Sequence, residues 1–403
     1  MKRFYVFVCM LLCAVVSLSA QESTTAATTT TATTTTESIE ARVAKVEKRA
    51  ATLEKVRQYV KLSGFMQAEY DWLDTVDKNS LTGTSTFYLR RVRFTLAGDL
   101  YRGAKGAKLD YRVYFDLCRL PSKNPILDMW IRYQPVKEFG IQLGQYKNPV
   151  TFEASISPSK YDFIDFSYAV SNLAKMGADD VTGLNETARD IGFQFFGGFI
   201  HRDGYSVINY NVGLLNGSGI NTKDNNKSKD IYAKLTIKPS KDLAMAAYYQ
   251  WGEANLSSFD ATKYAEYNWT GSAEYVPMHR WGVGFNYDAK KAFARGEYIG
   301  GLTGQLASEG MYIEGGYRHH LPKNAGMLWA GGMVDYFCRN TFDYIHRDTK
   351  NAAINMRYSL CLGYEPIKYF RLQLAYSLKQ NINTGAKIRP FENSVKLMAT
   401  ASF

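Results

Sequence analysis

From Lys61 to the last residue the side chains alternate between apolar and polar, one residue at a time, which commits this stretch to extended strands with two chemically opposite faces. In Arg90–Asp99, Val92, Phe94 and Leu96 alternate with Arg91, Arg93 and Thr95. Between Ile354 and Tyr364, Met356, Tyr358, Leu360 and Leu362 alternate with Asn355, Arg357, Ser359 and Cys361. Phe370–Lys379 repeats the device. Runs of about ten such residues are what a tilted strand needs to cross a hydrocarbon layer. Segments of this kind begin near Leu62, Phe87, Lys108, Ile126, Phe139, Ala188, Tyr205, Asp230, Leu243, Arg280, Ala292, Met311, Met327, Ala352, Phe370 and Val395. Short turns such as Ala289-Lys290 alternate with long polar connections such as 216–229, 253–279 and 339–351. An even strand number with that asymmetry predicts an all-β fold: a transmembrane antiparallel β-barrel of about 16 strands, both ends of the chain on its short-turn side. A flat sheet is excluded, because each open edge in hydrocarbon leaves backbone groups unpaired at several kcal/mol apiece. The final strand, ending on Phe403, is read as the signal for outer-membrane insertion.

The residues before the barrel divide into three. Residues 1–20 read as an export signal, with Lys2 and Arg3 ahead of an apolar run too short to span a bilayer, and cleavage after Ser19 or Ala20. Residues 21–36 are a Thr/Ala-rich linker whose composition buries no core. In residues 37–60, Ile39, Val43, Val46, Ala50 and Leu53 recur at alternating steps of four and three, the heptad pattern of a short coiled coil, with a lone amphipathic helix as the alternative. Residues 61–403 are the barrel. This organisation implies an outer-membrane protein of a Gram-negative-type bacterium with its N-terminal segment in the periplasm.

The charge pattern says which face meets water. A Lys or Arg on the lipid side at mid-membrane costs about 2–4 kcal/mol, so the charged parity faces a water-filled interior. The whole chain carries a formal net charge of +11, but basic and acidic residues of the inward parity nearly balance. They are unevenly distributed. Closure brings the last three strands beside the first two, gathering Arg91, Arg93, Arg357, Arg371, Lys379 and Lys396 into a channel-lining basic arc. The connection between the fifth and sixth strands, about Lys147–Thr187, is far longer than its neighbours, and long loops are commonly functional. It carries Lys147, Lys160 and Lys175 against Glu153, Asp162, Asp165, Asp179, Asp180 and Glu186. Such a loop is expected to fold into the barrel as a constriction loop and face the basic arc, setting a transverse field that steers small anions along the arginines. The alternative is that all these charges are hydrated lumen groups.

Three blocks carry a resemblance: Leu143-Gly-Gln-Tyr-Lys-Asn-Pro-Val-Thr-Phe-Glu153 with the Tyr161–Asp165 region after it, Arg189-Asp-Ile-Gly-Phe-Gln194, and Tyr210-Asn-Val-Gly-Leu-Leu-Asn-Gly217. In their order and spacing they resemble the phosphate-selective porin O and P family, over most of residues 62–403. The resemblance implies a sixteen-stranded homotrimeric porin passing small polar solutes, some members preferring phosphate or other anions, and a basic residue at the loop's root, here Lys147.

No catalytic or cofactor chemistry is expected. The five histidines form no His-Glu-x-x-His spacing, Cys118, Cys338 and Cys361 make neither a disulfide framework nor a metal set, and the basic residues form no nucleic-acid stripe. The expected partners are small anions or other polar solutes and outer-membrane lipid. A barrel enzyme of the protease or phospholipase type, and a plugged binding or anchoring barrel, are the rival readings.

Overall fold

The computed structural model describes residues 39–403 apart from 75, 78–79, 82–83, 104–105, 178, 180–186, 225, 256–274, 305, 340–352 and 384–390. The expected signal and linker lie outside the described residues. Helix α1 spans Ile39–Tyr59, and its Val43, Val46 and Val56 are exposed.

Strands then follow one another as antiparallel neighbours: β1 (Lys61–Asp74), β2 (Thr84–Arg102), β3 (Lys108–Asp116), β4 (Ile126–Val136) and β5 (Phe139–Lys147). Two short helices, α2 (Phe152–Ser155) and α3 (Tyr168–Leu173), interrupt the long connection to β6 (Arg189–Arg202). After it come β7 (Tyr205–Leu215), β8 (Asp230–Ile237), β9 (Leu243–Asn255), β10 (Tyr275–Asp288) and β11 (Ala292–Thr303). Then β12 (Leu306–His320), β13 (Met327–Arg339), β14 (Ala353–Ile367), β15 (Phe370–Asn383) and β16 (Glu392–Ser402) complete the series. The sixteen strands form a closed barrel. Its seam joins the two ends of the sequence, β1 on β16 in register from Phe65↔Ser402 to Asp74↔Asn393, so no edge is left open. The largest displacements of a strand start from its sequence expectation fall at β10 and β12, both of which begin earlier than the alternation suggested.

Burial runs opposite to that of a soluble protein. On β8, Asp230, Tyr232, Lys234 and Thr236 are buried while Ile231, Leu235 and Ile237 are exposed. On β14, Arg357, Ser359 and Cys361 are buried while Tyr358, Leu360 and Leu362 between and beside them are exposed, the leucines at 65% and 58%. Water-facing leucines in such numbers would be a large exposed apolar surface; hydrocarbon removes the difficulty. Glycines let the wall carry bulky neighbours. At Gly363 a Cβ would lie 1.9 Å from the Trp329 ring, and at Gly282 it would meet the Tyr248 phenol at 2.3 Å.

Because Leu360 sits mid-strand on the outward face, Leu360→Arg should destabilise the barrel by about 2–4 kcal/mol. Equilibrium unfolding in guanidinium chloride from lipid vesicles would show this as a lowered midpoint against the parent protein.

Candidate functional site

The described part of the connection from Asn148 to Ala188 leaves the end of β5 and runs inside the barrel. It first lies against β8 and β9, where Lys234 Nζ donates to Pro149 O (2.8 Å) and Asn148 Nδ2 to Gln250 Oε1 (2.9 Å). Thr151 caps α2, and the wall residue Glu297 accepts from the N–H groups of Phe152 (2.7 Å) and Glu153 (2.9 Å). A carboxylate at that position complements the free amides of a helix start. The chain then passes β1, where Gln67 Nε2 donates to Pro158 O (3.1 Å), and reaches β15, where Arg371 Nη1 and Gln373 Nε2 donate to Tyr161 O (3.0 and 3.2 Å). Ser167 caps α3, which packs under β11–β13, close enough that a Cβ on Gly310 would lie 2.8 Å from that of Ala169. Tyr161, Phe163, Ile164, Ala169, Val170 and Leu173 are buried, so this loop has a core of its own against the wall.

Two aspartates anchor it. Asp162 is 1% exposed and pairs with Arg295 (2.6 Å), Arg318 (3.0 Å) and Arg371 (3.6 Å), while its carbonyl accepts from Trp329 Nε1 (3.2 Å). Asp165 pairs with Arg90 (2.8 Å), Lys396 (2.9 Å) and Arg357 (3.8 Å). Burial works to raise the Asp165 carboxyl, but these three cations outweigh it and hold it well below the usual carboxylate range.

The seat differs from the sequence expectation in three ways. Arg357 and Arg371, read as channel-lining, are 3% and 6% exposed: they face inward but lie behind the loop, clamping it to the wall. Arg93 is likewise buried and bound to Asp116 (2.7 Å). The loop's acids do not look across water at a basic arc; Asp162 and Asp165 are bonded directly to it, and Glu153 is buried against Ser167 and Tyr161. Finally, Arg90 belongs to the seat. Strict alternation assigns it to lipid, but a β-bulge opposite Gln67 and Ala68 turns both Arg90 and Arg91 inward, and Arg90 bonds Glu69 as well as Asp165. The signal was present in the sequence: with Phe87, Leu89 and Val92 outward, no single register keeps Arg90, Arg91 and Arg93 all out of lipid, and a bulge is the cheapest remedy.

The match to known families falls on this architecture. Residues 60–381 match the model of the phosphate-selective porin O and P family. The chain belongs to that family. Among solved structures, the porin's fold is similar to the anion-selective porin from Comamonas acidovorans, with a TM-score of 0.60 at 11% identity over 85% of this chain and 99% of that one. It is similar also to OprB of Pseudomonas putida (TM-score 0.58, 10% identity, 89% and 97% covered). The outer-membrane channel DcaP of Acinetobacter baumannii gives a TM-score of 0.55 at 14% identity, with 85% and 97% covered. No curated protein sequence matches. The porin is therefore an outer-membrane channel for small solutes.

Within the porin, the remaining candidate residues are dispersed. Lys147 is half-buried at the loop's root, its Nζ donating to Ala154 O and lying 6.0 Å from the centre of the Phe166 ring. Lys160 is exposed. Lys175 stands at φ +56°, and its carbonyl accepts from Ala188 N (2.7 Å) where the loop returns to β6. Arg91 donates to Gln67 Oε1 (2.8 Å), and Lys396 completes the Asp165 cluster with Glu69 (3.5 Å) and Asp71 (3.6 Å). Among the described residues, Arg91, Lys147, Lys160 and Lys379 have no carboxylate within ion-pair distance.

Removing one partner of a buried pair leaves its counter-charges uncompensated, at about 3–5 kcal/mol. Asp162→Asn should thus loosen the loop from Arg295, Arg318 and Arg371 and raise the noise of the open-channel current in planar bilayers, with the barrel's heat-dependent gel shift retained.

Proposed function

We propose that this porin passes small anions in preference to cations, with phosphate and carboxylate species favoured over chloride. What carries this reading is the pairing of the loop's acids. Glu153, Asp162 and Asp165 turn into the wall, whereas Arg91, Lys147, Lys160 and Lys379 keep no carboxylate partner among the described residues. The local balance at the loop is therefore positive although the loop's formal charge is negative. Unneutralised cations beside a narrow aqueous path concentrate anions. Arginine adds a forked donor that suits phosphate or carboxylate oxygens. Arg112 on β3 and Arg132 on β4 are instead matched, by Asp128 (3.7 Å) and Asp110 (2.6 Å), and stack on Tyr114 and Trp130. The anion-selective porin among the fold's relatives supports the same direction.

The reading extends to assembly and placement. Residues 1–20 direct export and are removed, and residues 21–60 stand in the periplasm. Three copies associate, with α1 forming a coiled coil along the seam that exposes Val43 and Val46 in a single chain. The trimeric form described for OmpT of Vibrio cholerae, a similar barrel with a TM-score of 0.56 at 13% identity, supports a threefold arrangement.

Lys147→Glu with Lys160→Glu should move the reversal potential in a potassium chloride gradient toward that of a cation-preferring pore. An unchanged potential would overturn the role given to these lysines. In the parent protein, replacing chloride with phosphate on one side should shift the potential in the sense of phosphate permeation.

A further inference from the structure

Buried carboxyl groups meet where the inner loop first grips the wall. Glu153 from the loop, Glu297 on β11 and Glu314 on β12 are 0%, 3% and 2% exposed. The cations about them are Arg295 on β11, bonded to Glu314 and Asp162, Lys234 on β8, whose Nζ is held by Pro149 O, and Lys147 on β5, bonded to Ala154 O. Tyr161 from the loop, Tyr312 on β12 and Tyr248 on β9 supply the phenols. Glu297 has donors of its own, the amides of Phe152 and Glu153 and the Tyr312 hydroxyl (2.9 Å).

Glu153 and Glu314 differ, because they share one donor. Tyr161 Oη lies 2.7 Å from Glu314 Oε2 and makes a shorter contact still with Glu153 Oε1. A phenol has a single hydrogen and can donate along only one of these two lines. Two acceptor oxygens held that close on the other line need a second hydrogen between them. The remaining bonds to these carboxyls do not supply it to that line: Ser167 N and Oγ serve Glu153, and Arg295 Nη1 serves Glu314. The second hydrogen therefore sits on a carboxyl group.

We propose that a carboxyl proton shared across Glu153, Tyr161 and Glu314 latches the inner loop to the barrel wall, so that the constriction loosens as the pH rises. Burial, with the Glu314 charge added to it, pushes the Glu153 carboxyl up to about 8. Burial, with Glu153 and Glu314, also holds the Tyr161 phenol well above its ordinary range, so it remains a donor throughout. A docked carboxyl that keeps its proton to about 8, where a free one would lose it near 4.5, makes docking tightest in acid. Across that interval each rise of one pH unit weakens docking by up to about tenfold, and above it the dependence ends.

Planar-bilayer recordings of the full-length protein at fixed ionic strength, from about pH 5 to about pH 9, test the latch. The open-channel current of the parent protein should be quiet in acid and become noisier on approach to the alkaline end. Glu153→Gln, which keeps the shape of the side chain but removes its titrating proton, should be flat across the range. Tyr161→Phe, which removes both lines, should be noisy throughout. The heat-dependent gel shift verifies a folded barrel in each case. A parent channel whose noise ignores pH, or a Glu153→Gln channel that follows the parent, overturns the latch. Since ions still pass in either case, the channel and its selectivity stand or fall separately, on the reversal potential.

Discussion

A backbone amide facing hydrocarbon has no water to turn to, and in this molecule that constraint is met by one set of contacts, the ladder that joins β1 to β16. The parity of every strand follows from it. Once the sheet is a cylinder in lipid, a side chain has two environments open to it, and the alternate positions of each strand are sorted between them by a cost of about 2–4 kcal/mol per misplaced charge. Closure also sets the neighbours of the inner loop. Glu69 and Arg90 stand beside Lys396 only because the first and last strands touch, and Asp165 finds its cations at that seam.

The interior is not a plain polar tube. Much of its charge is engaged in holding the loop, and the pairs that do so are buried on both sides: Arg295 with Glu314 and Asp162, Arg357 with Asp335 and Phe166 O. Attraction between such groups is strong where water is excluded, but each ion carries a desolvation penalty, and most of the oxygens and nitrogens have a partner, with Arg295 Nε, Glu297 Oε2 and Gln373 Oε1 as exceptions. Pairing has a second effect on transport. A charge already matched at close range projects little field into the water nearby, so the groups that a passing ion senses are those left unmatched.

Most of the barrel was legible in the sequence because its signal is local and energetic. Val92, Phe94 and Leu96 against Arg91, Arg93 and Thr95 reveal both the strand and its orientation without any knowledge of neighbours. The seat of the loop was legible only as a location. That Lys147–Thr187 enters the barrel follows from its length and from the charges it carries, but which acid meets which base depends on where the chain turns inside. Asp162 and Asp165 were named, yet their partners Arg295, Arg318 and Arg90 were not assigned to them. Glu314 and Tyr161 are separated by 153 residues, and no periodicity links them. Arg90 was left out of the inward-facing set for the opposite reason: the local rule does not hold across a bulge.

The seam has a bearing on how the molecule comes into being. Its first strand has no permanent second neighbour until its last has been synthesised and exported, since Met66 lies opposite Ala401 and Gly64 bonds Phe403. Closure of the cylinder must therefore wait until the last strand is available. Birth of the barrel is an event of the complete chain, one that cannot proceed strand by strand behind the ribosome.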